Sequence, residues 1–331
     1  MSCDSVTLVT GANGHIGSHI VRKLLSRGRK VRALVRPTSD LRSLEGLEVD
    51  IVRGDVLKPD SLSRAVEGCD VVYHTAAVYA LWVRDESVIS RTAIEGSVNV
   101  ISSCSHAGVG KIIYTSSAAA IGLSDSPALI RTEEDYNADD GAPTYVTAKT
   151  ESEKVSLDAA HNLGVGIIVV NPTLVLGPGD YKPTPSNALV KRFVKSGSPF
   201  FYEGGANVVD VEDVAEGHLL AEERGRDGVR YILGGDNVTI EDLLGALAEL
   251  TGRTRPRLRI GRGAALAAGL VLEATAKVSG RPPLFSYRHA RTYTGRYGYY
   301  DTSRARTELG YRYRSYEEVL KRTVDWFRRE M

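Results

Sequence analysis

Cysteine is scarce in this 331-residue chain: Cys3, Cys69 and Cys104 are odd in number and far apart. That excludes a disulfide framework and a cysteine zinc site, and it fits a reducing compartment. Surplus charge is missing too. The 42 Lys and Arg stand against 41 Asp and Glu, a formal net charge of +1, so no overall field favours nucleic acid or an anionic membrane. There is no H-E-x-x-H pattern, and His15 and His19, four apart on an expected helix, have no third ligand near them, so no metal is expected. The opening "MSCDSVTLVT" has neither a basic nor an apolar segment of the secretory kind, which leads to an expectation of a cytoplasmic protein. Long hydrophobic runs are also absent. The most apolar stretch, "GAALAAGLVLEATAKVSG" at 263–280, holds an unbroken run of about ten residues, too short to span a bilayer. It predicts a buried or interface helix and no stable membrane insertion.

What is present is alternation. Short β-branched runs occur at 5–10, 30–35, 48–54, 70–76, 111–117 and 165–171, with amphipathic stretches such as "HIVRKLLSRG" and "DSLSRAVEGC" between them. Strand–helix alternation at this pitch predicts an α/β fold with a Rossmann-type, doubly wound parallel sheet. After Asn171 the texture turns rich in Pro and Gly, as in "PTLVLGPGDYKPTPSN". Residues 1–175 are therefore expected to form a dinucleotide-binding unit to which the chain returns at about 205–235. Residues 176–204 and 236–331 are expected to form a smaller substrate-binding lobe.

The first strand runs into "GANGHIG", where Gly11, Gly14 and Gly17 are spaced G-x-x-G-x-x-G at a strand–helix junction. Gly11 permits a tight turn, Gly14 lets backbone approach a pyrophosphate, and Gly17 lets the helix pack on the sheet. The helix N-terminus adds free N–H groups and the positive end of its dipole. At the end of the second strand, where an acid would bind the ribose hydroxyls of NAD, the chain reads "RALVRPTSD" and places Arg36. A guanidinium suits a 2′-phosphate, which favours NADP(H); Asp40 nearby leaves NAD(H) open.

Further on, "PTYVTAK" carries Tyr145 and Lys149 four apart, on one face of an expected helix. A phenol with a pKa near 10 is a poor proton donor or acceptor at neutral pH, and an ammonium beside it is expected to lower that value. Ser117, at the end of the strand "KIIYTSS", is placed to hydrogen-bond a carbonyl beside Tyr145.

Taken in order, "TGANGHIG", "GDV", "YHTAA", "YTSS", "YVTAK", "NPTLVLGPGD", "VDVEDVAEGH" and "DTSRARTELGY" resemble the extended short-chain dehydrogenase/reductase family over nearly the whole chain. The chain is most similar to its dihydroflavonol-4-reductase-like branch, which includes 3β-hydroxysteroid dehydrogenases. "LVRPTSDLRSLEG", "GDYKPTP" and "YILGGDNVT" also resemble the hopanoid-associated sugar epimerase group. The resemblance implies that Tyr145 is the acid or base, Lys149 holds the nicotinamide ribose, and Ser117 orients the carbonyl. It implies cofactor contacts from the glycine turn with Asn13, His15 and Ile16, from Asp55 and Val56 along the adenine, from Ala76 and Ala77, and from Pro172. Tyr79 and Trp82 become candidate walls of a substrate site, and a homodimer is a family expectation. One position departs: Ala93 stands where relatives often carry an asparagine, which removes a polar group from any water-mediated relay.

These features lead to an expected NADP-dependent ketone reductase or secondary-alcohol dehydrogenase acting on an apolar or aromatic small molecule. An NAD-retaining nucleotide-sugar epimerase is the alternative, with Arg192, Arg281 and Arg288 as possible phosphate contacts, and a non-catalytic nucleotide-binding protein is a further one. "AAAIG" after Ser117 lacks the carboxylates of a sugar dehydratase. The Tyr- and Arg-rich "RYGYYDTSRARTELGYRYRSY" is read as part of a folded lobe, with no nucleic-acid partner.

Overall fold

The computed structural model describes residues 6–79, 85–139, 141–279 and 286–331. Its strands begin with β1 Val6–Thr10, β2 Lys30–Val35, β3 Asp50–Arg53, β4 Cys69–His74, β5 Lys111–Thr115 and β6 Gly166–Pro172. They continue with β7 Leu174–Leu176, β8 Phe200–Tyr202, β9 Gly204–Asp210, β10 Arg230–Leu233, β11 Asp236–Thr239, β12 Leu258–Ile260 and β13 Arg296–Tyr297. The helices are α1 His15–Ser26, α2 Pro59–Val66, α3 Ser87–Ala107, α4 Thr144–Leu163 and α5 Pro185–Ser196. After them come α6 Val211–Arg224, α7 Ile240–Thr251, α8 Arg262–Ser279, α9 Tyr287–Tyr293 and α10 Tyr316–Glu330.

Seven strands pair in parallel in the order β10-β6-β5-β4-β1-β2-β3, a Rossmann-type sheet. Both faces of its inner strands are covered, which is why those strands read as unbroken apolar runs, while the edge strand β3 stays largely exposed. On one face Ile20, Val21 and Leu24 of α1 and Val214 and Leu219 of α6 pack on Val9, Tyr73 and Ile113. On the other, Leu62 of α2, Val100 and Ile101 of α3 and Ala160 of α4 pack on Leu8, Val72 and Ile112. Each such aliphatic side chain, fully buried, contributes roughly 1.5–3 kcal/mol. Chain order reverses between β1 and β4, so the crevice of the fold opens at their carboxyl ends.

The segment expected to return to this sheet divides. β10 is its edge strand and α6 packs on α1, whereas β9 lies in a second sheet, parallel to β7 and β13 and antiparallel to β11. A second core lies beneath β9: Phe193 of α5, Leu243 and Leu247 of α7, and Leu320 and Phe327 of α10. The Tyr- and Arg-rich segment is spent on folding. Tyr297, Tyr299, Tyr300 and Tyr311 are buried, and Arg314 pairs with Glu212 and Asp213.

Cys69 and Cys104 are free and buried, and Cys3 lies outside the described residues. Among the described residues no helix is long and apolar enough to cross a membrane. The expectation of a buried or interface helix at 263–280 meets an exposed α8: Leu270 and Val271 are 55% and 63% accessible.

Candidate active site

The first turn of the site is held by steric necessity. Gly11 has φ +66°, and a Cβ there would stand 2.8 Å from Ala76 Cα, two residues past the end of β4. A Cβ on Gly17 would lie 2.3 Å from the Gly11 carbonyl oxygen and 2.9 Å from Thr75 Oγ1, so α1 leaves the turn at a separation only glycine allows. The first contact closes the turn and the second keeps α1 close to the carboxyl end of the sheet. Gly14 caps α1 in an extended conformation, with no side-chain cap and no acid in the first turn. The N-terminal N–H groups and dipole therefore face the crevice without an internal anion.

Beside this turn, Asp40 is engaged by Arg42, whose guanidinium donates to it at 2.9 and 2.7 Å. Arg36 is exposed, lines the same crevice, and makes no ion pair or side-chain hydrogen bond among the described residues. The acid is spent on a neighbour and the cation is free.

Ser117, Tyr145 and Lys149 come together from the end of β5 and the first two turns of α4. The Lys149 ammonium is buried and donates to the Thr115 carbonyl at 2.9 Å. Burial lowers its pKa to about 8, against the opposing pull of Glu153. Tyr145 does not behave as its spacing from Lys149 led one to expect. Burial, with Tyr79 beside it, pushes the phenol above its ordinary value, and only the Ser117 hydroxyl pulls it down. The lysine is turned to a carbonyl, so it does not offset that burial. The Tyr79 and Tyr145 rings pack at a tilt of 40° with centroids 4.8 Å apart, and Tyr79 is fixed by a 3.1 Å hydrogen bond between its hydroxyl and that of Ser186.

Beneath these residues lies a network missed in the sequence. Glu153, fully buried, pairs with Arg230 of β10 at 2.6 Å. Asn171 donates to Glu153 at 2.6 Å and to the Ser117 carbonyl at 3.1 Å, so the network braces the backbone that carries Ser117. The signal was present: Tyr145, Lys149 and Glu153 are spaced i, i+4, i+8 along one helix face. His74 is a second omission; it bridges Thr10 at 2.7 Å and Ser97 at 3.1 Å.

One cavity of about 980 Å³ runs through the crevice. Its walls include Gly11, Asn13, Gly14, His15, Ile16, Gly17, Arg36, Asp55, Val56, Ala76, Ala77, Pro172, Tyr79, Ser117, Tyr145 and Lys149. Trp82 and Arg281 lie outside the described residues. Arg192 and Arg288 do not line it; Arg192 is exposed on α5, and Arg288 pairs with Glu86 at 2.9 Å. Ala93 packs with Ile89 and Ala148 against Tyr145, an apolar contact at the position of the missing asparagine.

The loop after β7 is drawn over the cavity by His15 and His19, whose Nε2 atoms lie 3.0 and 3.1 Å from the Pro178 carbonyl. Their spacing serves loop attachment. Burial lowers His19 to about 4, His74 to about 3 and His218 to about 4. Unfolded, each titrates near 6.5, so between pH 6.5 and 4 the unfolded chain binds protons that the folded chain refuses. Stability is expected to fall on acidification through that window, by about 2 kcal/mol per histidine at pH 5. Urea midpoints at pH 7 and pH 5 check this, and equal midpoints would contradict it.

Residues 7–234 match the NAD dependent epimerase/dehydratase family, and the chain belongs to that family, the extended short-chain dehydrogenases/reductases. It is an NAD(P)-dependent enzyme of that type. Over 325 residues it is 36% identical to a putative dihydroflavonol 4-reductase of Synechocystis, spanning 96% of this chain and 93% of that one. Over 328 residues it is 34% identical to sterol demethylase protein B of Methylococcus capsulatus, spanning 97% and 98%. The solved structure of gox2253 superposes with a TM-score of 0.87 at 35% identity, covering 98% of both chains.

Proposed function

We propose that the protein is an NADP-dependent reductase that interconverts a ketone and a secondary alcohol on an apolar or aromatic small molecule. The observation that carries this reading is a shared cavity. It joins a glycine-built anion cradle with an unpaired Arg36 to a Ser117–Tyr145–Lys149 cluster. The cradle fits a dinucleotide: space that a Cβ would fill is kept clear at Gly11 and Gly17, and the helix end beside it carries no acid. Gly14 and the N–H groups that open α1 would hold a pyrophosphate, Arg36 a 2′-phosphate, Asp55 and Val56 the adenine side, and Lys149 the nicotinamide ribose. Ala76, Ala77 and Pro172 line the path between. When bound, the nicotinamide supplies or accepts the hydride.

The chain's own residues handle the oxygen. Ser117 donates a hydrogen bond to the substrate carbonyl and orients it. Tyr145 gives its phenolic proton to that oxygen during reduction and takes it back during oxidation. Lys149, whose ammonium donates to the Thr115 carbonyl in the structure, would favour the phenolate that remains as a cation in the same cavity. Tyr79, Tyr202, Tyr293 and Leu189 wall the far end of the cavity. Besides Arg36 and Lys149, its lining cations among the described residues are Lys182 and an Arg296 held by Asp139 at 2.9 Å. That is a surface for rings and alkyl groups more than for a sugar diphosphate, as the names of the two reductase and sterol relatives also favour.

A panel of aromatic and long-chain ketones with NADPH, read as loss of reduced nicotinamide, tests the activity. Sustained consumption with one class supports it, and product formed without net consumption contradicts it. For the cofactor, Arg36→Ser is expected to weaken NADPH about 10- to 100-fold, the worth of one charged hydrogen bond, and to leave NADH within about threefold. Equal losses for both nucleotides would remove Arg36 from 2′-phosphate recognition.

A further inference from the structure

Residues 253–272 contain five arginines and no acidic residue, a concentration that the near-zero net charge of the whole chain conceals. Arg255 and Arg259 are paired, with Asp242 at 3.7 Å and with Glu203. Arg253 donates to the carbonyls of Val194 and Lys195, which leaves its charge in place. Arg257 and Arg262 are exposed and have no carboxylate partner among the described residues.

The helix that follows is inside out. A surface helix of a soluble protein shows polar residues to water and keeps its apolar stripe for the core. Among the side chains described on α8, those turned to solvent after Arg262 are Ala264, Ala267, Ala268, Leu270, Val271, Ala274 and Thr275. The small residues Ala265, Gly269 and Ala276 are the buried ones. Its carboxylate, Glu273, accepts the Tyr287 N–H at 3.0 Å and so is turned to α9. Immediately before the helix, Leu258 pairs in register with Phe200, and these two side chains are 56% and 47% exposed. Aliphatic and aromatic groups thus lie open beside unneutralised arginines.

We propose that α8 and the β8–β12 tip dock on the surface of a lipid bilayer that carries anionic headgroups. Charge selects this occupant over a second copy of the chain, because a two-fold contact would bring the same arginines face to face, whereas a phosphate-bearing surface neutralises them. Arginine stems also lie along apolar surface while their heads reach headgroups. Docking in the plane of the interface asks no helix to cross. α8 rides directly on α9, with Gly269 against the Tyr287 backbone, and Tyr293 of α9 lines the catalytic cavity. The docked face therefore lies one helix layer from the cavity wall. The proposal goes beyond the reductase reading and does not need it to hold.

The test is sedimentation of the full chain with phosphatidylcholine vesicles, with and without about a third phosphatidylglycerol. Binding to the anionic vesicles alone is expected, weakened at least tenfold by Val271→Glu and about 30-fold by Arg257→Ser with Arg262→Ser, and falling with added salt. NADPH binding by each variant, unchanged, shows that the fold and the cavity are intact. Absence of binding to anionic vesicles, or equal binding to both kinds, overturns the proposal. So does a concentration-dependent dimer that Val271→Glu dissolves without any vesicle binding, since the face would then belong between copies.

Discussion

Tyr145→Phe is expected to lower kcat by about a thousandfold while leaving NADPH affinity within about threefold. The substitution removes one oxygen atom and keeps the ring that packs on Tyr79 at 4.8 Å, so the cavity wall survives. What is lost is the proton donor at the substrate oxygen. A positioned acid or base contributes about 10²–10⁴ in rate, and the phenol is the group placed with Ser117 and Lys149 to act as one. The split between kcat and cofactor affinity is the readout. A tenfold loss or less would mean that water or Ser117 moves the proton. The pH profile adds a sign: burial lowers Lys149 to about 8, so a reaction that uses its charge is expected to lose rate above that value.

The second large effect is on stability. Glu153→Leu is expected to cost about 3–5 kcal/mol, because it leaves the Arg230 guanidinium buried without its carboxylate. Arg230 is 7% exposed and 2.6 Å from Glu153; it keeps the Glu133 and Asp135 carbonyls and the Tyr136 ring as neighbours, none of which carries a compensating charge. Replacing both partners with apolar residues of similar volume, Glu153→Leu with Arg230→Met, is expected to recover most of the loss, since no unpaired charge remains. Urea midpoints of the two variants give the comparison. If the double variant is no more stable than the single, the cost lies in the hydrogen bonds through Asn171 to Ser117 and not in the stranded charge.

Much of the site was legible because it is local. The turn from Gly11 to Gly17 carries its requirement in its own spacing, and Tyr145 and Lys149 sit one helical turn apart in a single stretch. The inner strands of the parallel sheet announced themselves by being buried on both faces, unlike the exposed edge strand β3. What was not legible depends on residues far apart or on burial. Glu153 and Arg230 are separated by 77 positions, and nothing in either segment alone names the other. The lysine was expected to lower the tyrosine, a reading that treats the pair as if in water; in the folded chain desolvation dominates both groups and the Thr115 carbonyl holds the ammonium. His15 and His19, four apart, gave no hint of the Pro178 carbonyl they share. β9 read as a return to the nucleotide sheet because its apolar content suits either sheet, and only pairing with β7, β11 and β13 decides between them. The arginines of 253–262 vanished into a net charge of +1, an average that says nothing of where charge sits.

The proposed cofactor, NADP, is a reagent that enters and leaves the crevice. Denaturing freshly purified protein, identifying any nucleotide set free, and titrating the remainder with NADPH and NADH tests it most directly. Little or no retained nucleotide is expected, with NADPH bound at least tenfold more tightly than NADH. Near-stoichiometric NAD carried through purification would contradict it and would mark the enzyme as one that oxidises and re-reduces its substrate on a cofactor it never releases.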